Sequence, residues 1–276
     1  MLATAGTGPP VVMLATATTG PSVPTWWGVG ASVLLVVLCV TVVVRERLGL
    51  GREVVVAAVR AIVQLVAVGA LLGVLFTHAG LPGSLLWVAG MVAVGARVAG
   101  RRGKGVPYAT WVSAASITVG VVATLGLLVL AQVIDAQPRV VVPVGGMVVS
   151  AATRGTSVVL LRLAEEAVAS RRFIEARLAL GLPAGVAFAP HRRTALRTAL
   201  VTDIDAVKTV GLISLPGAMT GLLLAGVDPL TAIRYQVVVM YMLLSAVAVA
   251  GVVAARLGTR QLFDDAERLQ ETVSLQ

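Results

Sequence analysis

Several polar side chains stand inside long apolar runs, and their types and spacing limit the chemistry open to this chain. Asp205 and Lys208 are three residues apart, a spacing that lets a carboxylate and an ammonium pair on one helical face. Arg60 and Gln64 are four apart and share a face in the same way. Arg154 stands within Ser150-Ala151-Ala152-Thr153-Arg154-Gly155-Thr156-Ser157, a polar stretch of small residues. Ser214-Leu215-Pro216-Gly217 interrupts another apolar run. Proline there must break or kink a helix, because it lacks the N–H and clashes with the preceding turn. Such residues can line or gate a path across an apolar barrier. Signatures of bond-making chemistry are missing from the sequence. There is no GxxxxGK[ST] phosphate loop, since Gly100-Arg101-Arg102-Gly103-Lys104-Gly105 has the wrong order. There is no HExxH and no GxSxG. His78 and His191 are the only histidines, and Cys39 is the only cysteine. The expectation is a chain that is not an enzyme, binds no cofactor or metal of its own and cannot power movement by hydrolysing ATP itself.

The elements that must hold these residues are transmembrane helices. The 276 residues are 58% hydrophobic and 13% charged, against about 45–50% and about 25% in soluble domains. Mean hydropathy is +0.95. A soluble enzyme, a disordered chain and a peripheral amphipathic anchor are all excluded by so much apolar surface. A spanning helix needs about 20 apolar residues, and the long continuous runs lack the alternation of a membrane barrel. The pattern predicts an all-α membrane protein with seven spans, at 26–44, 54–76, 84–100, 109–131, 140–161, 205–225 and 232–255. The third is short and the sixth contains Pro216-Gly217.

Lysine and arginine fall on alternate sides of these spans. One side holds Arg45, Arg47 and Arg52; Arg97, Arg101, Arg102 and Lys104; the seven arginines between 162 and 197; and Arg256, Arg260 and Arg268. The opposite loops hold Arg139 alone. Positive charge gathers in cytoplasmic loops, so the N-terminus is expected outside and the C-terminus in the cytoplasm. The same rule accounts for the net charge of +9 without a nucleic-acid partner. Residues 1–25 read as a flexible outer tail, 26–260 as the transmembrane domain and 261–276 as a cytoplasmic tail.

Depth leaves two readings open for each polar site. Arg60 lies seven residues past Glu53, roughly 10 Å into the helix. It either snorkels to the cytoplasmic surface or acts within the bundle. The stretch around Arg154 either packs helices closely or lines a pore. Asp205 and Lys208 are either an interfacial ion pair or part of a path. Pro216-Gly217 is the strongest pointer to a path, since non-helical backbone at membrane depth survives only where it is buried or lines a cavity.

One large cytoplasmic segment, 162–204, is placed to meet a soluble partner. Leu163, Ala167, Ser170, Ile174 and Leu178 recur at helical spacing, with Glu165, Glu166, Arg172 and Glu175 elsewhere. Gly181 and then Pro183 form a helix stop, with Gly181 suited to a left-handed C′ position. Ala184 to Ala189 make a short apolar knuckle, and a basic helix start follows at His191-Arg192-Arg193. Either this helix–knuckle–helix inserts into a groove of another protein, or it is an amphipathic connector on lipid head groups.

Longer motifs carry a family resemblance. Glu175-Ala176-Arg177, with Gly181 six residues after the Glu, resembles the coupling loop of ABC permeases. Residues 205–245 resemble the FetB-like permease family, which includes bacterial iron-export permeases and plant aluminium-tolerance permeases. The matching residues are Asp205, Lys208-Thr209-Val210-Gly211-Leu212, Ser214-Leu215-Pro216-Gly217, Met219, Gly221, Pro229, Ala232-Ile233 and Tyr235-Gln236. Arg60-Ala61-Ile62-Val63-Gln64-Leu65 and Pro143-Val144-Gly145-Gly146-Met147 agree with two further family elements. Ser150-Ala151 departs from the Gly-Asn that family members often carry there. The resemblance runs over roughly 30–260. It implies a plasma-membrane permease homodimer working with a separate ABC subunit that binds ATP and Mg. Iron or another metal ion is the implied cargo; Arg60 and Arg154 suit an anionic substrate, such as a nucleotide sugar, at least as well. Arg60, Gln64, Asp205, Lys208, Ser214, Pro216 and Gly217 are the candidates for path or gating. Glu175, Ala176, Gly181 and Pro183 are the candidates for coupling to the ATPase. A self-contained secondary transporter and a non-transporting scaffold are the other classes of function.

Overall fold

A computed structural model describes residues 26–78 and 80–270. The expected outer tail at 1–25 lies outside the described residues. Ten helices follow in order among the described residues: α1 Trp26–Arg45, α2 Gly51–His78, α3 Gly80–Arg102, α4 Ala109–Leu130, α5 Pro138–Ala169, α6 Arg171–Ala179, α7 Ala184–Ala187, α8 Ala189–Thr209, α9 Gly217–Leu224 and α10 Pro229–Leu262. Two isolated bridges, Val210–Ser214 and Phe263–Leu269, are the extended pairings among these residues. Six helices, α1 to α5 and α10, are long and apolar enough to cross a membrane.

The chain divides into two compact units, Met1–Gln64 and Leu65–Gln276, with the division falling inside α2. In the first unit, Leu34 and Leu38 of α1 and Val59 and Ile62 of α2 are exposed, as lipid-facing side chains are.

Glycines set the packing of the second unit. A Cβ at Gly155 of α5 would meet Val247 of α10 at 2.8 Å, and one at Gly258 of α10 would meet Leu163 of α5 at 2.9 Å. A Cβ at Gly145 would meet Val88 of α3 at 2.8 Å, and one at Gly95 would collide with Thr153. In lipid the hydrophobic effect does little to press helices together, so close approach of small residues supplies the dispersion contact. The pairings also fix direction. Numbers rise together along α3, α5 and α10, so these three run parallel. Arg154 meets Asp203 and Glu166 meets His191, so α8 runs antiparallel to α5. Asp228 starts α10, its Oδ2 accepting the N–H groups of Leu230 at 3.0 Å and Thr231 at 3.2 Å, with Pro229 in the first turn.

Two expected elements come out differently. The expected fifth span, 140–161, is the middle of a 32-residue helix, about 48 Å long at the helical rise. That exceeds a hydrocarbon core of about 30 Å, so α5 continues beyond it, as the amphipathic pattern from Leu163 onward requires. The expected sixth span, 205–225, is not one continuous helix. α8 passes through the expected boundary at 204/205 and ends at Thr209, residues 210–216 are non-helical, and α9 resumes at Gly217. Pro216 explains the break from its C-terminal side, since it disfavours helix at Leu215 and clashes with the carbonyl at Leu212. Gly211, at φ +81°, turns the chain from the other side.

Candidate functional site

The knuckle between α6 and α8 is built from its two stops. At the end of α6, Gly181 sits at φ +81° and donates to Leu178 O at 2.9 Å, while Leu182 N donates to Arg177 O at 3.2 Å. This is the left-handed closure expected of glycine there. The Ala176 carbonyl accepts Leu180 N–H at 3.2 Å, and the Pro183 carbonyl accepts Val186 and Ala187 N–H, both at 2.9 Å. Glu175 pairs with Arg171 at 2.8 Å. Of the four expected coupling residues, Ala176, Gly181 and Pro183 shape the turn between α6 and α8, while Glu175 pairs within α6. Gly185 and Val186 are exposed on α7.

Behind the knuckle lies a hydrophobic core that joins Ile174, Phe188, Ala195, Leu163, Leu262 and Phe263. Phe188 is fully buried. Its ring lies 5.5 Å from that of His191 and 5.9 Å, edge-on, from that of Phe263. His191 Nδ1 lies 2.7 Å from Glu166 Oε2, fastening the start of α8 to the end of α5. Aromatic spacing in the sequence, Phe188 three residues from His191, could have signalled this cluster; Glu166 as the partner could not be read from it.

The path candidates lie higher on the same helices. Arg154 Nη2 donates to Asp203 Oδ1 at 2.9 Å, and Lys208 pairs with Asp205 at 3.0 Å. Asp203 was not singled out in the sequence, although two carboxylates two residues apart point to different faces of a helix and so need different partners. The stretch 150–157 divides by face. Ala151, Ala152, Gly155 and Thr156 are buried in packing, whereas Ser150, Thr153, Arg154 and the edge of the largely buried Ser157 line a groove of about 900 Å³ with Trp87, Met91 and Arg102. Thr153 and Ser157 hydroxyls donate to carbonyls four residues back, at 2.7 Å each. The close-packing reading holds on one side of the helix, and the other side faces this groove.

At the break, Gly211 N–H donates to Ser214 O at 2.9 Å. Pro216 precedes α9, and Thr220 Oγ1 donates to its carbonyl at 3.0 Å. Leu212 and Ile213 are 88% and 81% exposed, so the break is bare in the single chain. Arg60 and Gln64 belong to the first unit, both exposed on one face of α2. Among the described residues, no three or more His, Cys, Asp or Glu side chains cluster to hold a metal ion.

Comparison with known proteins decides the kinship. The model of the family described as "Uncharacterised protein family (UPF0014)" matches residues 26–263. The chain belongs to this family. It is 39% identical over 243 residues to "UPF0014 membrane protein STAR2" of Oryza sativa subsp. japonica, covering 88% of this chain and 85% of that one. It is 34% identical over 241 residues to "Probable iron export permease protein FetB" of Escherichia coli, covering 87% and 93%. It is 35% identical over 243 residues to "Protein ALUMINUM SENSITIVE 3" of Arabidopsis thaliana, covering 88% and 89%. No solved structure matches the chain. The resemblance drawn from the 205–245 motif is thus shown, and this chain is a multi-pass membrane protein of the UPF0014 family.

Proposed function

We propose that this UPF0014 chain is the membrane-spanning subunit of an ABC transporter in the plasma membrane. In this reading it exports iron or another metal ion, using ATP and Mg bound by a separate subunit. The observation that carries the proposal is the continuity of one rod. The exposed knuckle at Gly185 leads into α8, which is held against α5 at Glu166–His191 and Arg154–Asp203 and runs straight into the break at 210–216. A push on the knuckle moves the break, some 20 residues or about 30 Å away along the helix. Arg60, Gln64, Asp205, Lys208, Ser214, Pro216 and Gly217 are the proposed path and gate. The iron assignment rests on the name of the E. coli relative.

The parallel course of α5 and α10 supports seven crossings, since the chain between them must return through the bundle. α8, the break and α9 supply that return as a discontinuous span, a form in which transporters build sites. Seven crossings agree with an outer N-terminus and a cytoplasmic C-terminus by the positive-charge rule. The bare break also favours a homodimer, because exposed irregular backbone at membrane depth needs protein or a water-filled cavity beside it.

A second reading concerns the cargo. Among the described residues the groove holding Arg102, Arg154 and Trp87 is lined by no acidic side chain; with Arg154 paired to Asp203, Arg102 is the cation that favours an anionic substrate in the same ABC framework. A soluble subunit with a phosphate loop should co-purify stoichiometrically after gentle solubilisation, and mass spectrometry would identify it. Repeated recovery of this chain alone, with transport persisting without ATP, would replace the proposal with a secondary transporter.

A further inference from the structure

Residues 263–270, directly after α10, are folded, although the family match ends at residue 263. Residues 263–270 form a small hairpin closed by the Phe263–Leu269 bridge. Asp264 N donates to Arg268 O at 2.9 Å, and Gln270 N donates to Leu262 O at 3.0 Å. Asp264 Oδ1 accepts Ala266 N–H at 3.0 Å and Arg268 N–H at 2.7 Å, and Arg268 Nε donates to Asp264 Oδ2 at 3.0 Å. These bonds hold Glu267 at φ +56°, a region a non-glycine residue enters only when its surroundings fix it. In that position Glu267 Oε2 accepts Ala184 N–H at 2.9 Å. Ala184 opens α7, and the first amides of a helix have no partner within it. Phe263 and Leu269 are buried in the same core as Ala184 and Phe188.

We propose that Glu267 is a positioning residue for the coupling knuckle, and that hairpin 263–270 is a strap tying the knuckle to α10. Without the strap the knuckle would reach α10 only through α8 and the hydrophobic core behind it. With it, the same displacement reaches α10, whose glycine contacts run down α5. A partner moving the knuckle therefore moves two helices together. Glu267 lies beyond the residues that the family model matches. The inference rests on the coupling role proposed above.

The test uses the full chain with its co-purified ATP-binding subunit in lipid vesicles loaded with iron(II). Amide exchange at Ala184 and iron moved per ATP hydrolysed are read for the wild type, Glu267→Ala and Glu267→Gln. Glu267→Ala removes a charged acceptor, so Ala184 should exchange about tenfold faster and transport per ATP should fall several-fold. Glu267→Gln keeps a carbonyl acceptor and should restore most of both, which a side chain needed only for bulk stability would not do selectively. Unchanged exchange at Ala184 overturns the strap, as does faster exchange with wild-type transport per ATP. Failure of the ABC reading shows separately, as ATP-independent transport by the wild type. In that case faster Ala184 exchange in Glu267→Ala with altered iron flux still supports the tie, and unchanged exchange overturns it.

Discussion

Replacing Phe188 by Ala should loosen the knuckle more than any other single change in it. α7 has four residues, far too few to be helical unaided, and its small buried side chains, Ala184 and Ala187, offer little to hold it. Phe188 caps α7 and is completely buried. A phenylalanine side chain covers about 150–250 Å², worth about 4–6 kcal/mol at about 25 cal/mol per Å². Residual burial in the unfolded chain trims this by about 10–40%. The expected loss is about 3–4 kcal/mol, within the range of about 3–5 kcal/mol for Phe→Ala in cores. This estimate takes the knuckle to lie on the cytoplasmic side, as the positive-charge rule expects, where water supplies the driving force. A loss of about 3 kcal/mol raises a local opening equilibrium roughly a hundredfold. Amide exchange at Val186 and Ala187, whose N–H groups bond to Pro183 O, reads that opening. Phe188→Leu should cost about 1 kcal/mol, as volume-conserving swaps do. Less than a tenfold rise in exchange for Phe188→Ala would refute the claim that this ring anchors the knuckle.

Other changes test other joints. The Arg154–Asp203 pair has side chains 58% and 18% exposed, so after discounting for screening a double-mutant cycle of Arg154→Ala and Asp203→Ala should give about 1 kcal/mol of coupling in thermal melts; zero coupling would mean the contact is idle. Gly155→Ala places a Cβ 2.8 Å from Val247 Cγ1 and should destabilise by about 1–3 kcal/mol. Gly185→Ala, with nothing within 4 Å, should leave the melting temperature unchanged or slightly higher, and equal losses at the two sites would contradict the packing described. Asp264 is held below its ordinary value of 3.8 chiefly by the Arg268 N–H, and also by the Arg268 guanidinium. A depressed carboxylate stabilises the hairpin above the unfolded value and loses that contribution as pH falls through the folded one. The Arg268 amide resonance should therefore titrate with a midpoint below 3.8, and a midpoint above it would remove the proposed bond.

What could be read in advance followed local rules. The runs at 26–44 and 109–131 became α1 and α4 within a residue, because twenty continuous apolar residues leave few alternatives. Gly181 took its left-handed place because only the turn chemistry mattered there. Pro216 announced a break but not its length, which Gly211 extended to seven non-helical residues. Asp205 and Lys208 were legible as a pair because both lie on one helix. Arg154–Asp203 and Glu166–His191 join residues 49 and 25 apart, and such pairings depend on how α8 folds back along α5, which no spacing rule encodes. The strap is illegible in the sequence for the same reason: Glu267 lies 83 residues from Ala184 in what reads as a tail.

The central claim is that cargo moves when a partner hydrolyses ATP. Purified chain and co-purified ATP-binding subunit, reconstituted in vesicles with iron(II), would be compared with and without MgATP. The account predicts iron movement that requires MgATP and stops when the knuckle between Pro183 and Pro190 is deleted, with the chain still inserted. Iron movement at the same rate without ATP, or undiminished after that deletion, would contradict it.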